Sequence, residues 1–288
     1  MSGTVTSVLA IGASGKNAGF VVPELARRGV TVRGMVRDAA TTQRVLAQGA
    51  GEVVVGDLRD HASLVAAMRG MDAVYYMAPA FFPDESEVGK GVVAAAVEAG
   101  VRRFVFSGVI HPMLSRLVNH AAKPPVEEAI IASGMEFTLL QPAVFYQNLS
   151  HAWHKVVETG VLAEPWALTT RHTRVDYRDV AEVAAIACTD DTLVNGTFEL
   201  VATQPMTRGD VAALMGEVLG RDVRADVLPV DTAVAPFPPP RQAAMAKMFA
   251  WYDEHGLMGN RLALRTILGR EPRTLRAYFE ELAAAPAH

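Results

Sequence analysis

The chain contains one cysteine, Cys188. It can form neither an intrachain disulfide nor a cysteine-based metal cluster. Cys188 ends the apolar helical stretch Val183-Ala-Ala-Ile-Ala-Cys188 and reads as a small buried hydrophobe rather than a nucleophile. Long apolar runs are also missing. No stretch reaches the ~18 consecutive apolar residues of a membrane helix. Met1-Ser-Gly-Thr lacks a basic region followed by a signal-type apolar core. A soluble cytoplasmic protein with no membrane partner is expected. Charge of one sign is not in excess: 27 basic against 31 acidic residues leave a net charge of −4. Nucleic acid is therefore not an expected partner. His151 and His154 have helical i, i+3 spacing, but spacing signals no third ligand, so no metal site is expected.

What is present is a regular alternation. Strand patterns at Val5–Ile11, Thr31–Arg37, Glu52–Val55, Ala73–Met77, Arg103–Ser107 and Phe137–Gln141 alternate with helical ones. Those helices run over Lys16–Arg28, to about Gln48, and over His61–Arg69, Glu85–Ala99 and Pro125–Ser133. Several strands are nearly continuous in Val, Ile, Leu or Phe, as in a parallel sheet buried on both faces. The fold class is α/β: a doubly wound parallel Rossmann sheet with a smaller, mostly helical C-terminal lobe. The expected division is 1–150 for the sheet domain and mainly 151–288 for the lobe. Strands near 171–176 and 197–201 would complete the sheet. Helices are expected over Phe145–Glu158, Arg178–Cys188 and Thr207–Leu219, the last with Thr207 and Asp210 forming a near capping box. Leu228–Pro240 holds five of the sixteen prolines; it reads as neither helix nor central strand, and serves either as a lid or as a connector. Helical patterns return from Gln242.

The first strand leads into Gly12-Ala13-Ser14-Gly15-Lys16-Asn17-Ala18-Gly19, and a helix follows. In this setting the glycines permit a tight turn and close approach of backbone N–H groups to a pyrophosphate at a helix N-terminus. A packed turn without a ligand is the alternative. Arg37 ends the second strand, where an acidic residue would take the ribose 2′-hydroxyl of NAD. An arginine favours the 2′-phosphate of NADP. Arg33 shares its face by strand parity, and Lys16 adds charge in the loop. Asp38 argues the other way. Asp57 can reach an adenine amino group while Leu58 packs on the ring, although Asp57 or Asp60 could instead cap the next helix. Met77, Ala78 and Pro79 close the fourth strand beside the cofactor ribose.

These segments, with Phe104-Val-Phe-Ser107, Lys123-Pro-Pro-Val-Glu127-Glu128, Gly134-Met-Glu-Phe-Thr-Leu-Leu-Gln-Pro142, Val175-Asp-Tyr-Arg-Asp179 and Gly269-Arg-Glu-Pro272, carry a resemblance. The chain resembles the NmrA-like branch of the atypical short-chain dehydrogenase/reductase superfamily over almost its whole length. The resemblance implies an NADP-binding Rossmann sheet with a substrate lobe. Its members include reductases of quinones and triphenylmethane dyes, and regulators that bind NADP without turnover. Superfamily chemistry rests on Ser, Tyr and Lys. The lysine matches Lys123, but the tyrosine position is Asn119, and Gly108-Val109 follow Ser107 where the relay serine is expected. The resemblance implies that Lys123 contacts the nicotinamide ribose, with Ser107, Gly108, Pro142, Ala143 and Phe145 nearby. Lys123 could stabilise charge developing on an acceptor oxygen, and Asn119 could orient a carbonyl. Tyr146, His111 and His120 are further candidate proton donors.

Phe145, Tyr146, Trp153 and Trp166 suit either an apolar aromatic pocket or the lobe's own core. Met245, Met248, Phe249 and Trp251 suit a core or a subunit contact, and a homodimer is allowed for. The expected activity is NADP(H)-dependent reduction of a quinone-like, enone or carbonyl small molecule. The alternative is a non-catalytic NADP(H)-binding sensor that acts on a protein partner.

Overall fold

The computed structural model describes residues 4–285; Met1–Gly3, part of the segment read for a signal, lie outside the described residues. The chain divides into two compact units. The first holds the residues up to Ser115, Asn119–Gln141 and Val180–Phe198; the second holds Arg116–Val118, Pro142–Asp179 and the chain from Glu199 onward.

Apolar strands alternate with helices through the first unit: β1 Ser7–Ile11, α1 Val21–Arg27, β2 Thr31–Val36, α2 Thr42–Ala47, β3 Glu52–Val55, α3 His61–Met68 and β4 Ala73–Met77. There follow α4 Glu85–Glu98, β5 Arg103–Ser107, α5 Val118–Ala121, α6 Pro124–Ala132 and β6 Glu136–Pro142. Then come β7 Val144–Phe145, α7 Leu149–Thr159, β8 Val161–Glu164, β9 Arg174–Val175, α8 Tyr177–Thr189 and β10 Gly196–Leu200. The chain ends with α9 Arg208–Leu219, β11 Arg224–Val227, α10 Val230–Val234, α11 Pro239–His255, α12 Leu262–Leu268 and α13 Leu275–Ala284.

Seven strands form one sheet in the order β10-β6-β5-β4-β1-β2-β3. The pairings from β1 to β6 are parallel. This is the Rossmann arrangement, and it explains the unbroken apolar strands: both faces are covered. On one face Leu9, Ile11, Val74, Phe104 and Phe106 pack with Val92, Val126 and Ile130 from the helices. Arg103, fully buried on β5, donates to Glu136 of β6, to Asp191 and to the Asp190 carbonyl. It thereby fastens the far edge of the sheet to the turn after α8.

Five expectations are corrected. Of the two strands expected to complete the sheet, β10 does so, whereas Arg174–Val175 pairs with β7 in a separate two-stranded sheet. The helix after the glycine loop begins at Val21, not Lys16, behind a 3₁₀ turn at Ala18–Phe20; Lys16 and Asn17 remain in the loop. The helix expected from Phe145 starts at Leu149, since Val144 and Phe145 pair with Arg174 and Val175. The proline segment does contain a helix, Val230–Val234. Pro229 stands at its N-cap, and Pro239 and Pro240 occupy the first turn of α11. The prolines flank helices or start them, where their missing N–H groups cost nothing. Strands β8 and β11 had no strand signal; they pair parallel in the second unit.

Candidate dinucleotide and reductase site

The C-terminal ends of the parallel strands bring the predicted segments of the first unit to one edge. Register sets Ile11 beside Met35, Val36 beside Val55, Met77 beside Ser107, and Ser107 beside Leu140. Gly12, Arg37, Asp57, Ala78 and Gly108 each follow closely on one of these ends. This is where open α/β sheets bind ligands.

Gly12 has φ +75°, a left-handed conformation that suits only glycine at low cost. Both Gly12 and Ala13 donate their N–H groups to the Met35 carbonyl at 3.1 Å. Gly15 donates to Gly12 at 2.7 Å, so its own N–H closes the loop instead of facing a pyrophosphate. Ser14, Lys16, Asn17 and Ala18 form the remainder of the turn. Asn17 holds its Oδ1 buried without a protein partner. A buried polar atom left this way fits a loop that completes its bonds on a ligand.

Arg37 is exposed beyond β2. The Asp38 side chain accepts from the Ala40 N–H at 2.9 Å and caps the following turn. Arg44, from α2, donates to the Ser14 carbonyl at 2.6 Å. A second guanidinium thus lies at the glycine loop. No motif signals it, because the contact spans 30 residues. Arg33 does not join them. It donates to Glu52 at 2.8 Å and to the Ala67 and Arg69 carbonyls, four residues back along the strand from Arg37. Asp60, not Asp57, caps α3 through the Ser63 N–H. Asp57 is exposed and accepts from the Arg59 N–H at 2.9 Å. Beside it a cavity of about 430 Å³ is lined by Leu58, Arg59, His61, Leu64, Asp84 and Val88, among others.

Lys123 is the N-cap residue of α6, and its side chain is buried. This excludes a solvated lysine. Its ammonium donates to Glu85 at the start of α4, which is also buried. The pair can form because α4 and α6 come very close: a Cβ on Gly89 would lie 2.5 Å from Val126 Cγ2. Burial raises the Glu85 carboxyl above the ordinary range, and Lys123 partly offsets this. The Tyr76 hydroxyl, fully buried on β4, has no hydrogen-bond partner. Burial, helped by the Glu85 charge, raises it too. Ser107 Oγ is buried and unpartnered at the end of β5.

Asn119 and His120 lie on α5. The His120 ring is fully buried, with Nδ1 3.1 Å from the His111 carbonyl. Burial holds its pKa down at about 4, so it is a neutral imidazole near pH 7 and no ready acid. His111 has φ +52°, a strained value for a non-glycine residue at this turn.

In the second unit, taken by itself, Tyr146 is fully buried and its hydroxyl donates to the Arg273 carbonyl at 3.2 Å. Its proton is engaged within the lobe. Trp153 stacks on Phe279 at 5.5 Å, and Trp166 packs against His172, Phe249 and Tyr252. Tyr146 and Trp153 are buried in the lobe core, and Trp166 is half-buried. Phe145 is half-buried, edge-on to Tyr177 at 4.8 Å; Pro142 and Ala143 are buried. Asp179, fully buried, binds Arg270 and Arg273 of the tail. This joins the two late sequence segments that carried the resemblance. Cys188 is buried, and burial pushes its thiol up to about 12. Among the described residues no group of three or more His, Cys, Asp or Glu side chains could hold a metal ion. No helix of the described residues is long and apolar enough to cross a membrane.

A parallel doubly wound sheet with a glycine turn after β1 and basic side chains after β2 defines a Rossmann-type dinucleotide-binding protein. More narrowly, the chain belongs to the NmrA-like family, whose profile matches residues 4–282. It is 28% identical over 292 residues to an NAD(P)H azoreductase of Xenophilus azovorans, covering 96% of this chain and 98% of that one. Its fold is that of the Citrobacter sp. triphenylmethane reductase solved with NADP(H), with a TM-score of 0.85 at 21% identity, covering 96% and 99% of the two chains. It is also that of the NADPH-dependent quinone oxidoreductase of Escherichia coli solved with NADPH, with a TM-score of 0.84 at 22% identity and the same coverage.

Proposed function

We propose that this protein is an NADPH-dependent reductase of a flat conjugated small molecule: a quinone, an azo compound, or an enone or other carbonyl. One observation carries the reading. At the adenosine end Arg44 donates to the Ser14 carbonyl of the glycine loop and Arg37 stands exposed at the end of β2, while Asp38 Oδ1 caps its own turn. That arrangement suits the 2′-phosphate of NADP. The relatives support the same assignment, since one is named for NAD(P)H-linked azo reduction and two were solved with NADPH or NADP(H).

The residues present fit that cofactor. Gly12 to Ala18 would hold the pyrophosphate, and Arg37 and Arg44 the 2′-phosphate. Asp57 and Leu58 would hold the adenine, and Met77, Ala78, Pro79, Ser107 and Gly108 the ribose and nicotinamide side. When bound, reduced nicotinamide supplies a hydride. Lys123, fixed by its bond to Glu85, supplies a positive charge for the oxygen or nitrogen that becomes negative as the acceptor is reduced. Asn119 is assigned to orienting a polar group of the acceptor. Tyr146 is assigned to the lobe core. Pro142, Ala143 and Phe145 remain candidates for the wall of the nicotinamide site.

The test is NADPH oxidation, followed by absorbance, with a panel of quinones, azo dyes and enones. Turnover with at least one acceptor, with NADPH preferred over NADH, is expected. Tight binding of both NADP and NADPH with no turnover of any acceptor would overturn the reading in favour of a sensor.

A further inference from the structure

The site lacks the tyrosine that commonly delivers a proton, and Tyr146 and His120 are both engaged elsewhere. A carboxyl group nonetheless stands at the strand ends. Glu127 lies one turn into α6, four residues after Lys123, so both face the same side of the helix. Its Oε1 is 3.4 Å from where a Cβ of Gly108 would be, directly beyond Ser107 and β5. Glu127 Oε1 therefore lies beside the backbone of Gly108, the position where a relay serine is missing, within ordinary contact of that residue. From β6, Gln141 Nε2 donates to the same oxygen over a long 3.4 Å. The side chain is half-buried, so it reaches both the protein interior and water.

We propose that Glu127 is the acid that gives the acceptor its proton, replacing the tyrosine and serine this chain lacks. The inference rests on the reductase reading above. Two further observations separate this carboxyl from an ordinary structural one. The cation whose charge acts on it, Lys123, is bonded to Glu85, and among the described residues no ion pair to Glu127 is seen. And burial raises its pKa above the usual glutamate range, against the smaller opposing effects of Gln141 and Lys123. Lys123 on its own helix and the uncharged Gln141 on β6 are the groups that act on it. The ordinary value for glutamate is about 4.3, so an upward shift moves Glu127 toward working pH, where a general acid is most effective.

The step balances. The acceptor gains a hydride from reduced nicotinamide, which is oxidised by two electrons. The Glu127 O–H bond breaks, and an O–H or N–H bond forms on the acceptor. The carboxylate that remains is reprotonated from water on its exposed side.

Glu127→Gln keeps the shape and the Gln141 contact but holds no acidic proton. With an acceptor that the wild type reduces, kcat should fall on the order of 10²-fold. The wild type should lose rate toward high pH, and in Glu127→Gln that loss should disappear. Glu127→Asp should keep that pH limb at reduced rate. Glu128→Gln, the same charge change on the exposed neighbouring residue, should behave as wild type. Affinity for NADPH, measured by fluorescence, should not change in any of the three. A readout without cofactor is the infrared carbonyl band of a protonated carboxyl, in the difference between wild type and Glu127→Gln. It should persist above the pH at which free glutamate loses it. Wild-type kcat and an unchanged pH limb in Glu127→Gln would overturn the proposal and leave the reductase reading standing. So would loss of the infrared band in the ordinary glutamate range. Should Glu127→Gln fail to fold, a wild-type rate in Glu127→Asp overturns it. A wild type that binds NADPH but reduces nothing overturns both.

Discussion

Single side chains in this site are set by what they touch, and a sequence motif shows only some of those contacts. The place of Arg37 at the end of β2 was legible because strand ends in dinucleotide folds recur at a fixed spacing from the glycine loop. Arg44 was not, because its contact with the Ser14 carbonyl depends on how α2 lies over the loop. Asp38 looked like a competing ribose ligand until its helix cap was seen. These assignments make a quantitative prediction. A charge-assisted hydrogen bond contributes about 1.5–3 kcal/mol. Arg37→Ala should therefore lower the affinity for NADPH by roughly 10- to 100-fold and leave that for NADH nearly unchanged. Arg44→Ala should act in the same direction. Dissociation constants for the two cofactors, titrated by fluorescence, check both; an unchanged ratio in both variants would sink the 2′-phosphate assignment.

Elements bring the chemistry together through contacts that no local pattern encodes. Lys123 and Glu85 are 38 residues apart in sequence, and their pairing depends on the close approach of α4 to α6. Gly89 allows that approach, because a Cβ there would lie 2.5 Å from Val126 Cγ2. Gly89→Ala should destabilise the fold by about 1–3 kcal/mol through overpacking. It should also cut turnover, because α6 carries both Lys123 and Glu127 away from their partners. Urea unfolding and steady-state rates on the same variant test this. A variant with wild-type midpoint and wild-type rate would show that the two helices do not need the gap. Local signals were reliable for elements that close on themselves. The Thr207–Asp210 capping box forms with both of its hydrogen bonds. The helix at Val230–Val234 was missed because five prolines nearby read as breakers, although each stands where a helix tolerates it.

Across the whole molecule, buried histidines link stability to pH. Burial holds His120 at about 4 and His172 at about 3; the charges of Arg174 and Arg208 also act on His172. The unfolded chain takes up these protons near pH 6.5. Below that value the unfolded state binds more protons than the folded one, so stability is full above about pH 6.5 and falls as the pH drops toward 4. Glu85 and Glu127, raised by burial, act in the opposite sense, so a difference measurement isolates the histidine effect. His172→Phe keeps an aromatic ring beside Trp166 and should flatten the decline of the urea midpoint between pH 6.5 and 4.5. An equal slope in wild type and variant would refute the linkage. By itself the sequence determined the alternation of strand and helix, the glycine turn after β1 and the burial of Cys188. Each of these depends on apolar periodicity or on residues within a few positions of one another. Only the tertiary structure decided that Lys123 is held by Glu85, that Arg44 joins the loop, and that Tyr146 belongs to the lobe core. It also placed Glu127 beside Gly108. The reason is physical: side-chain charge and proton affinity depend on burial and on partners tens of residues away, and chain folding alone sets those neighbours.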